Sequence, residues 1–297
     1  MSAARPARLA VGVVSAGRVG AVVGAAWAAA GHRVVATSGV SRASVQRAAA
    51  LLPGVPLEPP DAVVAGADLA LLAVPDDVLP GLVRGLVAAG SFRAGQIVVQ
   101  TSGAHGVAVL APAVEHGVLP LALHPVMTFT GRSEDVARLA GCTVGVTAAA
   151  GDEAAWSVGE ALVVEMGAEP VRITEELRPL YHAALSHGAN HLVTLVRDCV
   201  EILERAGIRP AEHLVAPLLS AALDNALRHG DRALTGPVTR GDLDTVRTHL
   251  RELGTIDRDL AETYRVLAGR TARRACAAGL LPEHAAHDVL TMLRETP

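Results

Sequence analysis

Hydrophobic and polar positions follow two different patterns along the chain. Up to about residue 173, short apolar runs bounded by turn residues alternate with longer helical stretches, and such runs are typical of buried strands. From Glu175 onward the apolar positions recur with a helical period almost throughout. The runs predict strands at 9–14, 33–37, 68–74, 96–100, 119–123, 142–146 and 169–173.

The remaining segments predict helices at 19–30, 42–52, 62–65, 151–166, 179–206, 210–228, 239–252 and 256–278, with others beginning at Pro75 and Pro282. Strands that alternate with helices are typical of an α/β fold with a mostly parallel sheet. We therefore expect two domains, residues 1–172 with the sheet and residues 173–297 made only of helices.

The first predicted strand leads into a turn of small residues and then into a helix. Gly17 leaves room for a phosphate to approach the backbone, and Gly20 allows the helix to pack closely on the strand. The unpaired N–H groups of a first helical turn attract negative charge. This unit predicts a Rossmann-type domain that binds a dinucleotide. Its pyrophosphate is expected against Ser15, Ala16, Gly17, Arg18 and Val19.

Ser15 stands where the dinucleotide fingerprint has its first glycine. A serine is tolerated at this turn only if its φ angle is ordinary. A glycine-rich turn with a purely structural use is the alternative to a cofactor site.

The segment after the second strand indicates which dinucleotide binds. An NAD site has a carboxylate there for the ribose 2′-hydroxyl, but the residues from Thr37 to Arg42 include no acid. Hydroxyl groups followed by an arginine suit a 2′-phosphate, so Ser38, Ser41 and Arg42 predict NADP(H) as the cofactor. Ser41 acting only as the cap of the next helix is the alternative.

Composition limits the function classes. The 297 residues, 51% of them hydrophobic, suffice for two packed domains, whereas a net charge of −4 and six aromatic residues argue against nucleic-acid binding. Three widely spaced cysteines predict reduced thiols in a cytoplasmic protein, and the apolar runs are too short to cross a membrane. The chain contains no lysine, which excludes Schiff-base chemistry.

Several motifs resemble those of bacterial Rossmann-like proteins with a C-terminal helical domain of undefined function, DUF2520, which are distant relatives of pyrroline-5-carboxylate reductase and the β-hydroxyacid dehydrogenases. The motifs are Ala73-Val74-Pro75-Asp76-Asp77, Thr101-Ser102-Gly103, Leu123-His124-Pro125, Tyr181-His182-Ala183-Ala184 and Leu234 to Asp242.

The resemblance implies an NADP-dependent oxidoreductase with a 6-phosphogluconate-dehydrogenase-like helical domain that forms a homodimer. Some members of the family resemble an alternative ketopantoate reductase. Val74, Pro75, Asp76 and Ser102 are then expected at the cofactor, although Ser102 could equally cap its own turn.

The chain departs from the β-hydroxyacid dehydrogenases at the first long helix after the sheet. There the related enzymes carry a catalytic lysine four residues before an asparagine, and here the matching residues are Ser186 and Asn190. The proton that the lysine would supply must therefore come from another group.

His182, Ser186 and Asn190 follow one another at helical spacing and predict a polar stripe that is at least partly enclosed, because its neighbours are small or apolar. In the functional interpretation His182 donates a proton and Asn190 orients the substrate. Core polar groups bonded to backbone carbonyls are the alternative. His187 and His191 have neither a glutamate between them nor an evident third ligand, so no metal site is expected.

His124 and Arg240 complete the candidate residues. His124 is expected after the end of a strand, at the rim of the crevice, as a second proton donor or as a structural cap. Thr239 and Asp242 resemble a capping box, which leaves Arg240 either to clamp a substrate carboxylate or to remain solvated.

These residues favour an NADPH-dependent reductase of a small carbonyl acid, a 2-oxo acid such as ketopantoate among them. An imine reductase of the pyrroline-5-carboxylate reductase type is the alternative. A non-catalytic dinucleotide sensor is a hypothesis from another class, favoured by the missing lysine and by Ser15, and a purely structural dimer is a third.

Overall fold

A computed structural model describes residues 8–295, so the ends of both expected domains, residues 1–7 and 296–297, lie outside the described residues. The chain forms two compact units, of which one ends at Ser186 and the other begins at His187. We call them the sheet unit and the helical unit. The division falls after residue 186 because side chains from the first turns of one long helix, among them Arg178 and Tyr181, contact the sheet. The limits 1–172 and 173–297 stay a prediction.

Seven strands form one sheet in the order β2-β1-β3-β4-β5-β6-β7, which confirms the predicted α/β class. The strands are β1 (Ala10–Val14), β2 (Arg33–Thr37), β3 (Leu69–Leu72), β4 (Ile97–Gln100), β5 (Leu119–Pro125), β6 (Thr143–Thr147) and β7 (Glu169–Arg172). Every neighbouring pair is parallel except β5 and β6, which are antiparallel.

The antiparallel pairing lengthens β5 beyond its predicted end at Leu123. His124 pairs with Gly145 of β6, and Pro125 pairs with Val144. The expectation that His124 lies outside the sheet is therefore wrong. The direction of β6, which supplies these partners, cannot be read from a hydrophobic pattern.

Helices cover both faces of the sheet because successive strand residues point to opposite sides. Leu69 and Leu71 join one apolar cluster, and Ala70 and Leu72 join the other. The helices of this part are α1 (Arg18–Ala29), α2 (Arg42–Leu51), α3 (Pro60–Ala65), α4 (Leu79–Ala88), α5 (Ala111–Val114), α6 (Ser133–Leu139) and α7 (Glu153–Glu165), with 3₁₀ helices at Ala108–Leu110 and Glu175–Leu177.

Three helices of the sheet unit differ from the sequence prediction, and the first is α5, which was not predicted. The segment from Pro75 forms a turn, in which the carbonyl of Pro75 accepts from Val78, and α4 begins only at Leu79. Helix α6 was not predicted. Its buried Asp135 carboxylate accepts from the amides of Thr130 and Gly131, and this stabilises the preceding loop.

The long helix α8 (Arg178–Arg205) begins in the sheet unit and continues into the helical unit. The later helices are α9 (Ala211–His229), α10 (Pro237–Arg240), α11 (Leu243–Ile256), α12 (Arg258–Ala277) and α13 (Glu283–Glu295), with a 3₁₀ helix at Gly230–Ala233. The buried apolar side chains of α10 to α13 form the main core of the helical unit. Between residues 8 and 295 no helix has the combined length and apolar character that crossing a membrane requires.

The predicted single helix from Thr239 is in fact two helices. Gly241 takes a left-handed conformation after α10, and the Asp242 carboxylate then caps α11 by accepting from the amide of Thr245. Thr239 instead donates its hydroxyl to the carbonyl of Thr235. The capping box assigned to Thr239 is therefore wrong, because Asp242 is itself the N-cap.

Candidate active site

The turn between β1 and α1 depends on an unusual serine conformation. Ser15 has a φ of +75°, and it is the only residue other than glycine with a positive φ in the described part of the chain. The condition set for a serine at this turn, an ordinary φ, is therefore not met. The Ser15 amide donates to the Ser38 hydroxyl at 2.8 Å, and the Ala16 amide donates to the Ser38 carbonyl at 2.7 Å. The end of β2 thus holds the turn in this shape.

The first turn of α1 offers open N–H groups. Gly17 is the N-cap, no side chain caps the helix, and its first turn contains no acid. The amides of Ser15 and Ala16 already have partners, so the donors left are those of Gly17, Arg18 and Val19. A Cβ at Gly20 would collide with the Ser15 carbonyl, which explains why this position is a glycine.

The residues predicted to select NADP(H) have different surroundings. Ser38 is buried and its hydroxyl holds the Ser15 amide, whereas Ser41 caps α2 by accepting from the Ser44 amide at 3.1 Å. Arg42 is exposed at the first position of α2. Ser41 is thus the cap of α2, as the structural alternative in the sequence analysis has it.

Arg47, which the sequence analysis missed, lies beside the turn. Its guanidinium donates to the Ala16 carbonyl at 3.3 Å. The side chains of Arg47 and Arg18 both come within 3.0 Å of the place that a Cβ at Gly131 would take. Two arginines therefore converge next to the open amides of α1. Nothing in the helical pattern of α2 marks Arg47, because the loop that brings Gly131 to it is distant in sequence.

A second group of side chains gathers where β4 and β5 end. The Nδ1 atom of His124 lies 2.7 Å from the Tyr181 hydroxyl, and the rings of His124 and His182 are 6.4 Å apart at right angles. A Cβ at Gly103 would lie 2.9 Å from His124 Nε2 and 2.7 Å from His182 Cδ2. The two predicted proton donors are thus neighbours, and both rings pack so closely against Gly103 that only a glycine fits there.

The surroundings of His124 disfavour its charged form. Burial lowers its pKa from 6.5 to about 4, helped by the positive charge of Arg178 and by His182 and opposed by the carboxylate of Asp76. His124 is therefore a neutral imidazole at pH 7. Asp76, in the segment after β3 that also contains Val74 and Pro75, exerts its charge on this histidine.

Arg178 supports the group from inside, and the sequence analysis missed it. Its side chain is 1% exposed and donates to the Thr147 hydroxyl at 2.8 Å. It also donates to the carbonyls of Ser102, Ala122 and Gly145 at 3.0 to 3.2 Å. Burial lowers the pKa of this guanidinium. Because its donors are occupied by these acceptors, Arg178 joins the segment after β4 to β5 and β6.

Ser102 is buried, and its hydroxyl accepts from the amides of Ala104 and His105 at 3.1 and 3.0 Å. The turn-capping alternative for Ser102 is thus present in the structure.

The predicted stripe on α8 is enclosed only in part. His182 and Ser186 are half-buried, whereas Asn190 is exposed. One turn away, His187 and His191 share a hydrogen bond of 2.9 Å between their Nδ1 atoms. Within residues 8–295, no three His, Cys, Asp or Glu side chains come together as metal ligands.

Arg240 is exposed at the end of α10 in the helical unit. It forms no ion pair among the described residues. Its charge lowers the pKa of Asp242, an effect that is secondary to the hydrogen bonds from Thr245.

Two family models match the chain. Residues 1–125 match a Rossmann-like domain, and residues 142–271 match a domain of unknown function, DUF2520. Both matches confirm the resemblance drawn from the motifs. No curated protein sequence matches the chain.

Solved structures share the fold at low sequence identity. A Bacteroides fragilis protein proposed to be an NADP oxidoreductase has a TM-score of 0.75 at 19% identity, covering 89% of this chain and 98% of its own. A Thermotoga maritima protein has a TM-score of 0.64 at 18% identity, covering 91% and 99%. An imine reductase from Myxococcus stipitatus, solved with NADP⁺, has a TM-score of 0.61 at 17% identity, covering 96% and 100%.

Proposed function

We propose that the protein is an NADPH-dependent reductase of a small carbonyl acid, of the 2-oxo acid class. One observation carries the proposal. The open first turn of α1 and the His124–His182 pair both lie where parallel strands of one sheet end. Ligands of open α/β sheets bind at this edge.

The residues beside α1 fit a dinucleotide. The free amides of Gly17, Arg18 and Val19 and the positive end of the helix dipole would receive the pyrophosphate. Arg47 and Arg18 add positive charge beside that turn, and Arg42 remains the proposed partner of the 2′-phosphate. The fold shared with a reductase solved with NADP⁺ supports the same cofactor.

The chemistry divides between cofactor and protein. Bound NADPH supplies a hydride to the substrate carbon. Reduction of a carbonyl then leaves negative charge on its oxygen, which needs a hydrogen-bond donor and finally a proton. His124 and His182 are the groups proposed to provide them, and both lie against Gly103 at the ends of β4 and β5. Ser186 and Asn190, one and two turns further along α8, are proposed to orient the substrate.

The carboxylate of the substrate needs a cation other than Arg178, because the Arg178 guanidinium already donates to three backbone carbonyls. Arg240 remains the proposed carboxylate partner, since its guanidinium is exposed.

Reduction of an imine is the second candidate. Solved imine reductases share the fold over 96% of this chain, which supports this chemistry. The two substrates differ in their need for a proton, because a protonated imine brings its own whereas a carbonyl does not. Replacing both histidines should therefore impair carbonyl reduction more than imine reduction.

A homodimer is proposed through the helical unit. Leu214, Leu218, Leu223 and Leu227 on α9 are each at least 48% exposed, and they give this helix apolar surface that a second copy could cover. Leu218→Glu should then yield monomers in analytical sedimentation. Arg228→Glu, at an exposed ion pair on the same helix, should leave the mass of the dimer unchanged.

The free Cys142, Cys199 and Cys276 support a cytoplasmic location.

Cofactor titration tests the proposal first. The wild type should bind NADPH more tightly than NADH, and Arg42→Ala and Arg47→Ala should each weaken NADPH binding by about tenfold. Arg93→Ala, at the opposite edge of the sheet, should leave it unchanged. Binding of neither nucleotide would contradict the proposal.

Measuring catalytic turnover distinguishes the proposed reductase from a non-catalytic sensor of the dinucleotide. NADPH oxidation is followed with a panel of small 2-oxo acids and cyclic imines. Tight binding without oxidation on any of them would replace the reductase by a non-catalytic sensor.

A further inference from the structure

The outer nitrogen of His124 is the open end of a buried chain of side chains. Nδ1 is in contact with the Tyr181 hydroxyl at 2.7 Å. Nε2 has no hydrogen-bond partner among residues 8–295, and a Cβ at Gly103 would lie only 2.9 Å from it. Any side chain at position 103 would therefore cover this nitrogen.

Tyr181 reaches His124 through a second glycine. Gly145 is the cross-strand partner of His124 in the antiparallel pair. The Tyr181 hydroxyl lies 2.7 Å from the place that a Cβ at Gly145 would take. The phenol of Tyr181 thus packs against the backbone of Gly145 on β6. The Tyr181 ring also lies 5.7 Å from the Arg178 guanidinium.

We propose that Tyr181 is a positioning residue, whose hydroxyl donates to His124 Nδ1 and so fixes the neutral ring with its N–H at Nε2, the nitrogen left to bond the substrate heteroatom. A phenol O–H is a stronger donor than an imidazole N–H, and this sets the direction of the bond. The inference rests on the proposed reductase, because it names the group that protonates the reduced oxygen.

The proton balance of a carbonyl reduction follows from this arrangement. As hydride adds to carbon, the C=O electron pair moves to oxygen, which takes the proton from His124 Nε2. Nδ1 takes the Tyr181 proton at the same time, so the imidazole stays neutral. The phenolate that results lies next to Arg178 and regains a proton from water. Burial raises the pKa of Tyr181 while Arg178 opposes this effect, so the phenolate is short-lived.

The charged and titratable groups that act on His124 are Tyr181, Arg178 and His182 on α8 and Asp76 after β3. Burial and Arg178 lower its pKa to about 4, so the imidazolium is not the form that donates at pH 7. A neutral histidine that gives up a proton needs one in return at its other nitrogen, and Tyr181 is the group bonded there.

The ring protonation state can be measured without a substrate. In protein labelled with ¹⁵N-histidine, His124 is identified as the signal lost in His124→Gln. It should show a protonated Nε2 and a bare Nδ1 at pH 7, and Tyr181→Phe should move its Nδ1 signal toward the protonated position. Tyr264→Phe is the matched control, because Tyr264 bonds the Nδ1 of His249 in the same way at 2.8 Å. It should shift His249 alone.

A protonated Nδ1 in the wild type, or a His124 tautomer that Tyr181→Phe leaves unchanged, would overturn the inference. Kinetics give a second measurement. With a 2-oxo acid that the wild type reduces, Tyr181→Phe should lower kcat by about 100-fold with little change in KM. Equal losses from Tyr181→Phe and Tyr264→Phe would overturn the assignment. If the protein does not bind NADPH, the proposed reductase function is contradicted. The tautomer of His124 can be measured whether or not NADPH binds.

Discussion

The amide of Ser15 donates to the hydroxyl of Ser38 across 2.8 Å, so that the end of β2 holds the β1–α1 turn in a left-handed conformation. Side chains other than glycine adopt this conformation at a cost of about 1 kcal/mol. The turn is therefore strained, and one substitution can measure the strain.

Ser15→Gly should raise the free energy of unfolding of the sheet unit by about 1 kcal/mol, because glycine adopts a positive φ freely. Both tryptophans, Trp27 and Trp156, lie in the sheet unit, so their fluorescence during urea unfolding reports on it. Ser15→Ala keeps the Cβ and should bring no gain. A gain of equal size in both variants would show that the strain is not at this φ.

Gly20→Ala should destabilise the sheet unit and weaken NADPH binding, since its Cβ would meet the Ser15 carbonyl, a backbone atom that cannot move aside. Gly85→Ala on α4 is the matched control. A Cβ there meets nothing within 4 Å, and alanine is favoured over glycine in a helix by up to about 1 kcal/mol. The two variants should thus change the urea midpoint in opposite directions, and a shared direction would contradict the close packing at Gly20.

Arg178→Met should lower the free energy of unfolding by about 3 kcal/mol, because it leaves three buried carbonyls and the Thr147 hydroxyl without their donor. Arg172→Met removes an exposed arginine that pairs with Glu153, and it should have a much smaller effect. Urea unfolding of both variants makes the comparison. Similar losses of unfolding free energy in the two variants would mean that the hydrogen bonds of Arg178 do not stabilise the sheet.

The His124 pKa predicts an acid-sensitive sheet unit. The folded pKa of about 4 lies below the ordinary 6.5, so the unfolded chain binds a proton between these values that the folded chain does not. Stability is therefore complete above pH 6.5 and falls as the pH decreases toward 4, by about 3 kcal/mol from this residue.

His124→Gln removes this titration but keeps carboxylates such as Asp135, whose pKa is lowered by hydrogen bonds that outweigh its burial. Between pH 7.5 and 4.5 the wild type should lose more unfolding free energy than the variant does. Parallel losses would exclude a depressed His124 pKa.

The sequence predicted the strands because strands buried on both faces appear as continuous apolar runs, and it predicted the dinucleotide turn because Gly17 and Gly20 stand between a strand and a helix. It could not predict Arg178, since the three carbonyls that it binds come from β5, β6 and the turn after β4 and meet only in the folded sheet. The position of His124 within β5 was missed for a related reason. Its pairing depends on β6 running antiparallel, and no local pattern records the direction of a strand.

Gly145 and Tyr181 pack closely, since the phenol hydroxyl lies 2.7 Å from the place that a Cβ at Gly145 would take. The two positions should therefore covary during evolution. A homologue with a bulkier residue at 145 would need a shorter one at 181, and would then lose the contact with its histidine. A change at one of these positions would thus require a change at the other, 36 residues away in the chain.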